Sequence, residues 1–418
     1  SVTDGVGTDI AASAISALAD KVASVEVSSA IDVTGSISDV QSLQGLSKVT
    51  LPSDYTVELS DAGSVTVTDL SDIAGKTTGA VVVTNAITTS GTADQVKAAF
   101  EASLTKVDVS VSAAVTVSDA TDVATASAIS NATNVTATFT SGVKDVFANL
   151  YTAGTDLVSA ELIEVLNDDA DTKVEVTDAT GSVDATDLSA LIAVNSTGSV
   201  TLSGAATIAG SEAQLKKALI TDGVVASSAK ASVTDGVGTD IAASAISALA
   251  DKVASVEVSS AIDVTGSISD VQSLQGLSKV TLPSDYTVEL SDAGSVTVTD
   301  LSDIAGKTTG AVVVTNAITT SGTADQVKAA FEASLTKVDV SVSAAVTVSD
   351  ATDVATASAI SNATNVTATF TSGVKDVFAN LYTAGTDLVS AELIEVLKDD
   401  ADTKVEVTDA TGSVDATD

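Results

Sequence analysis

Residues 107–117 read Val-Asp-Val-Ser-Val-Ser-Ala-Ala-Val-Thr-Val. β-branched residues alternate with small or polar ones, the pattern of a strand with one buried face. The alternation breaks once, at Val111-Ser112-Ala113-Ala114, where a hydroxyl residue and two small residues permit a bend. The same corner, an apolar residue, Ser or Thr, any residue, then Ala or Gly, recurs along the chain. It begins at Val27, Leu59, Val83, Val111, Phe139, Val176, Leu202 and Ala226, in steps of 24 to 37 residues. It comes round again at Val258, 231 residues after Val27.

Working outward from each corner, a β-rich stretch leads in, at 24–27, 56–59, 80–83, 107–111, 135–139, 173–176 and 200–202. A second stretch follows the bend at 31–33, 65–67 and 115–117. Amphipathic helices come next. Asp9 precedes Ala11, Ile15, Leu18 and Val22; Thr92 precedes Val96, Phe100 and Leu104; Val143, Val146, Phe147 and Leu150 keep a helical spacing; Asp156 precedes 157–166. Asp and Thr in front of such faces read as caps that accept otherwise unpaired helix N–H groups, and Asp122 and Asp187 take the same role. The short steps 59–83 and 202–226 leave little room for a helix.

Strand, corner, strand and helix repeated at this interval predict an α/β fold, a parallel β-solenoid with amphipathic helices on one side. Its crossovers are expected to be right-handed, with about eight coils per 231-residue repeat. Strands want a spacing of about 4.8 Å and helices about 8–10 Å, so the stack is expected to curve into a superhelix. The corner hydroxyls (Ser28, Ser60, Thr84, Ser112, Thr140, Thr177, Ser203 and Ser227) are read as a ladder that satisfies backbone groups at the bends.

A longer repeat contains these coils. Residues 1–187 recur at 232–418 with one change, Asn167 to Lys398, giving copies 1–231 and 232–418. Near-identity over this length implies recent duplication, and the natural chain is expected to extend past both ends.

Composition narrows the function. The 418 residues contain no His, Cys, Met or Trp, and all 18 basic residues are lysine. General acid–base and nucleophilic catalysis rest most often on His or Cys, and transition-metal sites need them too, so no enzyme is expected. With 56 acidic residues the net charge is −38, and aromatics make up 2%. That balance rules out a nucleic-acid footprint and attraction to an anionic membrane surface, and no run of 18 apolar residues offers a membrane span. Acidity favours solubility and association with divalent cations. The hydrophobic content of 44%, mostly Ala, Val, Ile and Leu, argues for a folded chain with a narrow layered core.

Three residue sets invite a functional reading. Asp168, Asp169 and Asp171 form the densest acidic run, and hard oxygen ligands suit calcium. Neither an EF-hand loop nor a glycine-rich nonapeptide is present, and Lys398 in the second copy would compete with a cation there. Most Asp residues are better explained as helix caps. Asn131, Asn134 and Asn195 open N-glycosylation sequons, and Thr66/Thr68 and Thr136/Thr138 resemble ice-binding pairs on coils too unequal for a flat array.

Stretches such as 115–129 (VTVSDATDVATASAI) and 181–194 (GSVDATDLSALIAV) resemble the Val/Ser/Thr/Asp-rich repeats of giant bacterial surface, filament and adhesin-type proteins of cyanobacteria and marine proteobacteria. The resemblance implies export to the cell surface, great length and a structural or adhesive role. The expected function is a non-catalytic module of an extracellular filament, sheath or surface layer that associates with itself. The alternative is a rigid stalk repeat of a giant adhesin, stiffened by calcium.

Overall fold

The fold follows from how little each short element can bury alone. The computed structural model describes residues 1–100, 107–152, 157–195, 197–331, 338–383 and 388–409. The chain separates into two compact units, one of 1–206 with 217–229, the other of 207–216 with 230–418.

In the first unit the strands are β1 (Asp9–Ala11), β2 (Val25–Glu26), β3 (Asp32–Gly35), β4 (Val49–Thr50), β5 (Thr56–Leu59), β6 (Gly63–Ser64), β7 (Val81–Val83), β8 (Ile87–Gly91) and β9 (Val107–Val109). They continue with β10 (Ala113–Val117), β11 (Val135–Phe139), β12 (Val143–Asp145), β13 (Tyr151–Thr152), β14 (Leu157–Val158), β15 (Lys173–Val176), β16 (Ser182–Asp184) and β17 (Ser199–Leu202). Interleaved helices are α1 (Ala12–Ala19), α2 (Ile37–Gln44), α3 (Val67–Ala74), α4 (Ala93–Phe100), α5 (Val123–Ser130), α6 (Phe147–Leu150), α7 (Ala160–Asp168) and α8 (Ala185–Val194).

Apart from β13 and β14, the strands pair in parallel with counterparts one coil away. One sheet runs β1-β3-β5-β7-β9, a second β6-β8-β10-β11, a third β12-β15-β17. Register places like on like: Val33 faces Val57, then Val81, then Val107, and Leu59 faces Val83, then Val109. These inward side chains are buried, as are Val115, Val117 and Phe139 on the second sheet. A ladder of stacked valines fills a narrow core with stiff side chains that suit strands. Helices of eight residues are too short to be stable alone. They dock on the strands through Val40 and Leu43, Leu70 and Ile73, or Val96 and Phe100, and α1 to α5 pack each on the next. Each unit is thus a parallel α/β solenoid. The second unit repeats the pairings at the 231-residue offset, for example Val264 with Val288 and Val288 with Val312.

Several local expectations fail for identifiable reasons. Asp9 lies in β1 and does not cap α1, whose first flanking residue is Ala11 without a side-chain cap bond. The buried face of α1 is Ala12, Ile15 and Ala19, while Leu18 and Val22 are exposed. At the matching positions of the second unit Ile246, Leu249 and Val253 are all buried, so the expected face is kept there. Residues 65–67 are not a strand, because Thr66 takes the cap position and starts α3 at Val67. Val143 belongs to β12, so the helix expected over 143–150 shrinks to the single turn α6. The short steps do hold helices, α3 in 59–83 and, in 202–226, Glu212–Lys216 followed by a π turn over Lys217–Thr221. Ala226-Ser227-Ser228-Ala229 is not a corner but part of the strand Ala226–Val233. Among the described residues of this unit the antiparallel pairing is the small β13–β14 ladder. Leu104 and Asp156 lie outside the described residues.

Candidate functional site

With no His or Cys, the chemistry of this chain rests on carboxylates, hydroxyls and lysines, and the structure shows what a recurring set of aspartates does. An α-helix begins with unpaired N–H groups. At α2, α4 and α5 two carboxylates or hydroxyls share the task, one from the helix's own coil and one from the next. Ser36 accepts the N–H of Asp39, Thr66 that of Asp69, Asp122 that of Thr125 and Ser159 that of Leu162. These are ordinary N-caps.

The second set crosses between coils. The first helical N–H of α2, at Ile37, donates to Asp61 (2.6 Å), 24 residues on. Ala93 donates to Asp119 (2.7 Å), Val123 to Asp145 (3.1 Å) and Phe147 to Asp178 (2.6 Å). The second unit repeats this at Ile268–Asp292, Ala324–Asp350, Val354–Asp376 and Phe378–Asp409, and adds Glu212–Asp235. A carboxylate at a helix N-terminus gains from the helix dipole and from a charge-assisted hydrogen bond. Each such aspartate therefore staples its coil onto the preceding one.

Corner hydroxyls add a second set of rungs. Thr84 donates both its N–H and its hydroxyl to the Leu59 carbonyl, and Thr140 does the same to Val117. Ser28 reaches Val2 in this way and Ser203 reaches Val176. Ser60 and Thr177 contribute their N–H to Gly35 and Asp145. In the 107–117 corner the rung falls to Ser110, whose N–H meets Val83, and Ser118 fills the matching place one strand on. Ser112 offers only its carbonyl, to Ile87, and Ser227 lies within a strand.

Asp168 and Asp169 are drawn to a different partner. The N–H groups of Ala137 and Phe139 project from the edge of β11, and the two carboxylates accept them at 3.0 and 2.6 Å. Asp168 ends a helix, where a negative charge is normally unfavourable; the strand N–H groups offset that. Asp171 leans on Asp169, whose hydrogen bond and charge raise its pKa above the ordinary 3.8. The second copy keeps the arrangement with Asp399 and Asp400. Lys398 turns to Glu395 (2.6 Å). Among the described residues no group of three or more acidic side chains is placed to hold a metal ion.

No protein family and no curated protein matches the sequence. Among solved structures it is similar to the leucine-rich-repeat ectodomain of the Arabidopsis receptor kinase HAESA, in complex with an N-terminally extended IDA peptide hormone. The match has 10% identity and a TM-score of 0.22, covers 84% of this chain and spans 62% of that one. Overlap at that level carries no inference about fold or function.

The remaining sequence candidates are structural by placement. Asp187 sits in the first turn of α8, whose cap is Asp184. Asn131 donates to the Ser127 hydroxyl and Asn134, at φ 59°, to the Val109 carbonyl. Asn195 is fully buried and donates to Thr172, so a glycan cannot reach it in the folded chain; Ser196 of that sequon lies outside the described residues. No described helix is long and apolar enough to cross a membrane.

The staple aspartates are what sequence reading missed. Their signal was present: Ser60-Asp61-Ala62, Ser118-Asp119-Ala120, Thr177-Asp178-Ala179 and Thr234-Asp235-Gly236 share a Ser/Thr-Asp-small tripeptide. Nothing in one sequence says that the donor N–H belongs to the preceding coil.

Proposed function

We propose that this chain is a non-catalytic structural module of a long extracellular filament, sheath or surface layer that associates with itself. The observation that supports this reading is the inter-coil staple. The first N–H of one helix is completed by an aspartate of the next coil, as Ile37 is by Asp61 and Phe147 by Asp178. Such a contact propagates from coil to coil without a natural stop. Near-identical copies at a 231-residue offset extend the same surface periodically, and a heterologous contact of that kind builds filaments instead of closed rings. The high negative charge keeps such a polymer soluble. In this reading the crossovers are right-handed, about eight coils make one repeat, and the stack curves superhelically. Cations such as calcium act at most as a diffuse atmosphere.

Cryo-electron microscopy or fibre diffraction of native material tests the assignment. A spacing of about 4.8 Å along the stack, with one axial period of roughly 40 Å or less per repeat, is expected. Separate globules on flexible tethers would overturn it. A chain end of different composition carrying a binding domain would move the role to the stalk of an adhesin.

A further inference from the structure

Residues 1–27 and 232–258 are identical in sequence but not in burial. Leu18 is 44% exposed and Val22 42%, whereas Leu249 and Val253 at the matching positions are 0% and 5% exposed. Ile10 is half-buried and Ile241 buried. The strand after the helix has two residues in the first unit, Val25–Glu26, and six in the second, Val253–Val258. Since the sequences are the same, the difference lies in what touches them.

Within the second unit that face is covered. The helix Glu212–Lys216 packs on the helix Ala243–Ala250, and residues 230–233 join the sheet beside Val253–Val258. Polar groups complete the contact: the Lys230 ammonium pairs with Glu257, and Asp235 accepts the N–H of Glu212 at 2.6 Å. Their counterparts in the first unit, Glu26 and Asp4, are exposed. The first unit therefore presents every part of an acceptor that the second unit fills: an apolar floor of Ile10, Leu18 and Val22, a carboxylate for a helix N–H, and a carboxylate for a lysine. Val6 lies outside it, being 81% exposed where Val237 is 80%.

We propose that this face of the first unit docks the coil 203–231 of another copy of the repeat. Its helix rests on Leu18, its last strand extends along 22–26, its Glu212 N–H meets Asp4 and its Lys230 meets Glu26. Adding a strand to an open edge supplies main-chain hydrogen bonds, and the apolar floor supplies specificity. Charge favours the same occupant, because 203–231 carries Lys216, Lys217 and Lys230 to a chain of net charge −38. The proposal deepens the filament reading and rests on it for the source of the coil.

The test titrates the full chain, at physiological salt, into a fluorescein-labelled peptide of residues 203–231 and reads anisotropy. A peptide of the same composition in scrambled order is the control. Saturable binding of the native order alone is expected. Leu18→Glu should weaken it about tenfold or more, since a charge then stands where a leucine would be buried. Val6→Glu should leave it unchanged. Both side chains are exposed in the first unit, so the substitutions spare the fold, and a circular-dichroism melt verifies this. Hydrogen exchange gives a second readout. In the free chain the identical fragments 22–26 and 253–257 should exchange as a fast and a slow population, and docking should merge them into the slow one. A free peptide must order itself on binding, so the same segment is also joined ahead of Ser1 by a flexible Gly/Ser linker, at an effective concentration of about millimolar. Merging in the tethered chain, lost with Leu18→Glu, supports the docking. No binding by the free peptide together with two persisting populations in the tethered chain overturns it. Equal binding of the scrambled peptide, or equal effects of Leu18→Glu and Val6→Glu, overturns it too. Because the titration needs no filament, its failure and that of the filament reading are separate results.

Discussion

Residues 32–139 and residues 140–178 solve the same problem in two ways. In the first stretch paired strands lie 22 to 26 residues apart, as Val33 and Val57, Val81 and Val107, and Ala113 and Val135 do. Backbone pairs with backbone, and side chains add staples and rungs. In the second stretch the chain needs 31 residues to bring Val174 opposite Val143, and the extra length goes into the β13–β14 ladder. The exposed edge of β11 is completed by Asp168 and Asp169 instead of a strand. A solenoid thus tolerates an insertion where side-chain acceptors replace the missing backbone, since buried N–H groups must be paired.

The comparison breaks most visibly at Gly142, where the two stretches join. Its φ is +80°, and a Cβ there would lie 2.3 Å from the Lys173 carbonyl oxygen. Gly142→Ala is expected to cost about 3 kcal/mol through backbone strain and displacement of β15. Chemical denaturation reads this loss; a change within 0.5 kcal/mol would mean that the two strands are not apposed here.

Asp169→Ala comes next, at about 2 kcal/mol, because it leaves the Phe139 N–H without its charged acceptor. Amide exchange should accelerate at Ala137 and Phe139 while Val57 and Val81 stay protected. Uniform acceleration would show that the two stretches do not differ in the way described. Removing a staple in the regular stretch, Asp61→Ala, is expected to cost about 1 kcal/mol, with Asp61→Asn near half of that, since a half-buried helix cap is partly replaced by water. Identical losses for Asp61→Ala and Asp169→Ala would erase the distinction between staple and edge cap. Thr84→Val should cost less again, about 0.5 kcal/mol, because the Leu59 carbonyl keeps the Thr84 N–H.

The smallest effect is in titration. Asp69 is held below its ordinary 3.8 by the Thr66 hydroxyl and then by Gln41, against slight desolvation. Its contribution to stability is complete above 3.8 and is lost as pH falls through the lowered folded value. Asp171 is raised, first by its hydrogen bond with Asp169 and then by that residue's charge. Its contribution is complete below 3.8 and is lost as pH rises through the raised value. Carboxyl carbon shifts in nuclear magnetic resonance should show the two midpoints on opposite sides of 3.8, and the reverse order would contradict both environments.

By itself the sequence determined the period, the strands and the parallel stacking. Residues 56–59, 135–139 and 173–176 are strands as their alternation required. This holds because period-two patterning with β-branched residues is a local property, and duplication makes its spacing visible. The sequence also determined that aspartates serve helix starts, as at Asp122. Tertiary structure alone decided which helix each aspartate serves. Asp61 and Asp178 act on turns 24 and 31 residues earlier, a relation set by how coils stack and not by neighbours in the chain. It decided too that Leu18 is exposed whereas Leu249, at the same place in the second copy, is buried, because what covers a side chain depends on its neighbours in space and not on its local sequence. Asp168 and Asp169 became an edge cap for the same reason: the strand edge they complete exists only once the coils have met.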